Sequence, residues 1–174
     1  MATRYRRMLI LAVLVLGSGG VTLTAADLDQ ALREADGRRK AAESGVREIK
    51  TKSKDQADQV RSLYAEAASR NNAWLDMVCQ SIQQAPSSAP DVSAAVEPAA
   101  TALVQWVSAR NRALGLPELT GPIADSVKKR VTQDLTDIAN ETWRGNRSGN
   151  EQRRTQAANA LKERLQWRGW EDLR

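Results

Sequence analysis

DLDQALREADGRRKAAESGVREIKTKSKDQADQVRSLYAEAASRNNAWLDMVCQSIQQ, residues 27–84, is the stretch whose reading decides the fold class. Steps of four and three residues in turn pick out Leu28, Leu32, Ala35, Arg39, Ala42, Val46, Ile49, Ser53, Gln56, Val60, Leu63, Ala67, Arg70, Trp74, Met77 and Ser81. Most of these are apolar and the phase survives from end to end, which is the spacing of a heptad-type helix seam and not of a strand. Asp27 with Gln30 reads as a capping box at its start. The seam thins between Lys50 and Gln59, where Ala57 is the only apolar residue. Ser53 with Gln56 repeats the capping-box pattern there, and a chain that turned at this point would make a helical hairpin. No Gly or Pro interrupts the segment, so the spacing favours one helix, roughly 87 Å long at 1.5 Å per residue.

Downstream, residues 85–97 are rich in Pro, Ser and Ala and read as a linker. Pro98 suits the first turn of the next helix. From Pro98 to Ala109 there is no charge, and Leu103, Val104, Trp106 and Val107 cluster, as in a buried core helix too short to cross a bilayer. Gly115 and Pro117 stop it. Gly121-Pro122 opens a helix with Ile123, Val127, Val131, Leu135 and Ile138 on one stripe, closing near Gly145. Ser148 with Glu151 is a third capping-box pattern, before a last helix through Ala158, Leu161 and Leu165 to Gly169. No segment alternates with strand period. The expected fold is all-α: a long helix over 27–84, or a hairpin, with the three shorter helices of 98–174 packing on its C-terminal part.

Upstream, Arg4, Arg6 and Arg7 precede the apolar run Met8 to Leu16, then Gly17-Ser18-Gly19-Gly20 and small residues up to Ala25-Ala26. A basic region, a short apolar region and small residues at a cleavage site describe a signal peptide over residues 1–26, cut after Ala25 or Ala26. The protein is therefore expected to be exported, either periplasmic or secreted. The competing reading is a single uncleaved N-terminal anchor, which leaves the rest of the chain on the same side.

Export changes the charge argument. The chain has 26 Lys+Arg; without Arg4, Arg6 and Arg7, 23 face 21 Asp+Glu, a net charge of +2. Nucleic acid is thus not an expected partner, because the basic balance is partly a property of the leader. The chain has one Cys and no His, which excludes an internal disulfide framework, histidine general bases, the usual triads and HExxH zinc sites. No metal and no cofactor is expected. Ser126-Val127-Lys128-Lys129 matches the S-x-x-K pattern of serine–lysine enzymes, but without its companion motifs it reads as an exposed helix face. Cys79, among Trp74, Leu75, Met77, Val78 and Ile82, reads as a buried small hydrophobe. The repeated Trp-Arg-Gly of Trp143-Arg144-Gly145 and Trp167-Arg168-Gly169 reads as two helix C-terminal caps.

The function expected from this is non-enzymatic: an exported helical protein acting through helix-mediated protein–protein contacts in the cell envelope or outside it. The contact residues would be Val46, Ile49, Val60 and Leu63, on a long arm that projects beyond the shorter helices and pairs with itself or another helical protein. The alternative is a module binding membrane or anionic polymer through Arg144, Arg147, Arg153 and Arg154 with Trp167 and Trp170. Residues 119–174 carry a local excess of three positive charges, a small lead for that reading.

Overall fold

Thr24 starts the first helix by a reciprocal cap: its hydroxyl accepts from the Asp27 N–H, while its own N–H donates to Asp27 Oδ2 at 2.8 Å. The box is thus Thr24–Asp27 and not Asp27–Gln30, since Gln30 instead donates to Glu34 one turn on. The expected cleavage points therefore fall in the first turn of α1 (Ala25–Glu48). The computed structural model describes residues 24–49 and 53–173, so the rest of the expected signal or anchor lies outside the described residues. The described chain is all-helical, with no strand among the described residues and no helix there long and apolar enough to cross a membrane.

The single helix favoured for 27–84 is instead two. Ile49 leaves α1 with extended backbone, and α2 (Lys54–Gln84) begins after Ser53, whose side chain accepts from the Gln56 N–H. The physical reason lies in the thin stretch of the seam. Around Ser53 almost nothing apolar rewards continuing the helix, whereas ending it allows Val46 and Val60 to be buried in one core.

Three further helices follow: α3 (Ser93–Ala113), α4 (Gly121–Asn146) and α5 (Glu151–Leu165), and a 3-10 turn closes the chain at Glu171–Leu173. Helix α3 starts five residues before Pro98, which sits inside it. Asp91 accepts from the Ser93 N–H and hydroxyl, and buried Val92 and Val96 reward the extra turn that the proline weakens. The α3–α4 corner is made by Gly115 and Gly121, both with positive φ, and Pro122 lies in the first turn of α4. Helix α5 is capped by Asn150, not Ser148; the Asn150 side chain accepts from the Arg153 N–H.

Antiparallel pairing is fixed by specific contacts. Along α2 and α5, Asp76 meets Lys162 and the Cys79 thiol donates to the Ala158 carbonyl. On α3 and α4, Glu97 meets Lys128 while the Ser108 hydroxyl donates to the Leu119 carbonyl. Helix α1 lies on α4 and α5, and the Arg110 side chain of α3 reaches Gly45 so closely that a Cβ there would collide with it. Tyr64, Trp74, Leu75, Val96, Trp106, Ile138 and Leu161 build the core between them.

Candidate functional site

The expected contact seam is largely internal. Val46 and Val60 are buried, and Ile49 and Leu63 are half-buried against the same core. An arm projecting past the shorter helices is not what the described residues form, because α1 is laid along α4 and α5.

The six residues of the basic-aromatic alternative are divided among separate places. Arg144 pairs with Glu141 one turn earlier, and Arg147 stands 5.5 Å from the centroid of the Trp143 ring. Arg154 donates to the Gln83 carbonyl at the C-terminal end of α2 and to the Gly149 carbonyl, a helix-capping role. Arg153 is exposed. Trp167 is buried, and Trp170 is half-buried with the Arg61 guanidinium 5.1 Å from its centroid. Neither Trp-Arg-Gly is a left-handed cap: the first continues within α4, and the second follows the end of α5 with neither glycine at positive φ. Helix α5 stops at Leu165, short of Gly169, because Trp167 is drawn inward.

That inward turn builds a polar and aromatic arrangement around Tyr64. Tyr64 of α2 lies 5.6 Å from Trp106, 5.8 Å from Trp167 and 6.3 Å from Trp170, between ring centroids. Its hydroxyl donates to the Arg168 carbonyl at 2.9 Å. Burial first, and Glu43 second, push its phenol above the ordinary range, so it stays a donor. Asn71 donates to the Leu165 carbonyl, and Arg39 of α1 donates through Nε to the Arg164 carbonyl. Both carbonyls belong to the last turn of α5, where no intrahelical donor remains. Arg39 is itself fixed by Asp36 at 2.8 Å and Glu43 at 2.9 Å. The sequence showed the tryptophans; it did not reveal Tyr64, Asn71 or Asn72, whose partners are backbone atoms some ninety residues or more away.

A second polar group joins α1 to α4. Asp134, 3% exposed, accepts from Arg38 at 2.8 Å and pairs with Arg130 at 3.0 Å, and Arg130 also meets Glu34. Desolvation raises the Asp134 pKa against the pull of Arg38 and Arg130. This is an internal tie between helices and not an open site.

The Cys79 thiol is buried, and desolvation raises its pKa to about 11. Ser126 and Lys129 of the S-x-x-K pattern are both exposed on α4, and Lys128 is held by Glu97. No group of three or more His, Cys, Asp or Glu is placed to hold a metal ion among the described residues.

What remains outward and apolar is the α3–α4 corner. Leu116 is 46% exposed and Ile123 is 62% exposed, the two large hydrophobic residues most open to solvent among those described. The corner is held in shape by the Arg112–Glu118 fork and by Asn111, which donates to the Pro117 carbonyl. In comparisons with known proteins, no family model, no curated protein and no solved structure matches this chain.

Proposed function

We propose that this is an exported, non-enzymatic helical protein that acts through protein–protein contacts in the cell envelope or outside it, and that the α3–α4 corner makes the contact. The observation that carries the reading is the exposure of Leu116 and Ile123 on a corner already fixed by its own hydrogen bonds. An apolar contact made by a rigid corner loses little freedom on binding. Export rests on the order of basic, apolar and small residues in 1–26.

The same proposal includes a finer reading of the fold. Helices α1 and α2 are two successive helices whose heptad-type spacing turns an apolar edge of each toward one shared core, α1 reaching it through α4 and α5 and α2 through α3 and α5. Ala35 of α1 and Ala67 of α2 lining one small cavity supports this. The membrane or anionic-polymer alternative has less support, because Trp167 is buried and Arg144 and Arg154 are engaged within the chain.

Photo-crosslinking in the native host tests the proposal. A crosslinker at Ile123 should give one discrete adduct, lost when Leu116→Asp is added, while a crosslinker at the exposed Gln156 gives none. Equal labelling at both positions would remove the corner from consideration.

A further inference from the structure

Helix α1 is attached differently from the other helices. The side chains it buries fully are small, Ala31, Ala35, Ala42 and Val46, while its larger apolar residues Leu28, Leu32 and Ile49 are only partly buried. Helix α2, by contrast, buries Tyr64, Trp74, Leu75 and Ile82. Apolar stabilisation follows the area removed from water, so α1 gains less by docking than α2 does. Where α1 meets the core it leaves a cleft of about 20 Å³, with Ala35 and Arg38 on one side and Ala67, Leu103, Val131, Leu135 and Trp167 among the residues opposite. An interior packed to ordinary density leaves little such space. Arg38 Nη2 is buried and finds no hydrogen-bond partner among the described residues, a cost that exposure to water would relieve. What holds α1 down is largely charge: Arg38 on Asp134 at 2.8 Å, Arg130 on Glu34 at 3.1 Å, and Arg39 Nε on the Arg164 carbonyl at 2.9 Å.

We propose that α1 is a charge-latched cover that opens as a unit while α2 to α5 stay folded, and that opening bares the apolar floor at Leu103, Val131, Leu135 and Trp167. Elements with few buried apolar contacts make up the low-stability end at which proteins open locally. The remaining helices keep ties that do not involve α1: Asp76 on Lys162, Glu97 on Lys128, and the Cys79 thiol on the Ala158 carbonyl. Opening separates Arg38 from Asp134 and Glu34 from Arg130, and redocking restores both pairs, so these charges set how often the cover is closed. The device goes beyond the α3–α4 corner and uses different residues, so either proposal can fail alone.

Native-state hydrogen exchange of the full chain tests this. Amides of α1 between Ala31 and Val46 should be protected about tenfold less, or weaker still, than those around Val78 in α2 and Ile138 in α4. Val78 is fully buried in α2, and its contacts survive in the open form, so Val78→Ala separates the two units. It should speed exchange around Ile138 by about tenfold or more and leave α1 within about twofold of the parent. Should Val78→Ala fail to fold by circular dichroism, Ile82→Val carries the same comparison at a smaller cost. Exchange in α1 that rises by the same factor as in α4 would mean one cooperative unit and overturn the cover. The latch is read with Arg130→Gln, at an exposed position that packs nothing into the core. It should speed α1 exchange by about threefold or more, and the parent should respond in the same direction to 1 M salt, which screens exposed charges. Exchange in α1 indifferent to both overturns charge as what holds it closed.

Discussion

Asn72 satisfies both main-chain polar groups of Trp167 with one side chain, accepting at 2.9 Å and donating at 3.0 Å. Trp167 is only 6% exposed, so water cannot readily replace these bonds. Asn72→Ala should therefore cost about 2–3 kcal/mol, the scale of leaving buried main-chain groups unpaired. Asn72→Asp keeps the acceptor and loses the donor, and should cost less. Urea unfolding of the three proteins checks the order; an alanine variant as stable as the parent would mean that the clasp contributes nothing.

Two glycines in α1 should respond with opposite sign. Nothing lies within 4 Å of a Cβ at Gly37, so Gly37→Ala should stabilise by roughly 0.5–1 kcal/mol through helix propensity alone. At Gly45 the same gain meets a collision with Arg110 Nε, Cζ and Cδ, and that half-buried guanidinium arm has to shift to make room. Gly45→Ala should destabilise by about 1–3 kcal/mol, the usual cost of overpacking. Thermal unfolding of both variants decides the sign.

These residues also mark how far the sequence could be read. Periodicity exposed the helices, because the buried stripe of α4 at Val131, Leu135 and Ile138 recurs at helical spacing, a local property. It could not show where the 27–84 seam would break. The same apolar spacing serves one long helix and two helices sharing a core, and that choice depends on burial by distant residues. The corner at Gly115–Pro122 was legible from its turn residues. The exposure of Leu116 and Ile123 was not, since the apolar stripe of α4 extends through Ile123 whether or not a partner covers its end. Nor could spacing reveal that Arg39, a polar interruption of the seam, binds the end of α5.

Cys79 should be unreactive while the protein is folded. With a thiol pKa of about 11, roughly one molecule in a thousand carries the thiolate at pH 8, and the residue is 2% exposed. Ellman's reagent should react at pH 8 only after urea is added. Cys79→Ser should lower stability and leave the assembly state unchanged on non-reducing gels. A dimer band that this substitution removes would point to an interchain disulfide instead.

Asp134 gives a pH dependence with a definite sign. Its folded pKa is raised, with desolvation as the largest cause, so the native state takes up the proton more readily than the unfolded chain. Its contribution to stability is thus full below the ordinary aspartate range and is lost as pH rises through the folded pKa. Asp36, with a lowered pKa, acts in the opposite direction, losing its contribution as pH falls. Comparison with Asp134→Asn isolates the first effect: the native protein should gain stability relative to this variant as pH is lowered from 6 to about 4. Urea midpoints across that range provide the measurement. A gap that moves the other way would mean that the ion pair with Arg38 outweighs the desolvation of the carboxyl.

The last prediction separates the internal seam from the outward corner. Val60 is 2% exposed, so Val60→Asp buries a carboxylate with no partner and should destabilise by more than about 3 kcal/mol. Ile123 is 62% exposed in the first turn of α4, so Ile123→Asp should change stability by no more than about 0.5 kcal/mol. A carboxylate near a helix N-terminus is also favoured by the helix dipole, which guards the variant against misfolding. Circular dichroism and urea unfolding check the stability half. For the functional half, sedimentation and crosslinking in the native envelope should show that Ile123→Asp remains folded but loses its contact. A folded Val60→Asp chain that loses association, beside an Ile123→Asp chain that keeps it, would return the contact to the seam of α1 and α2.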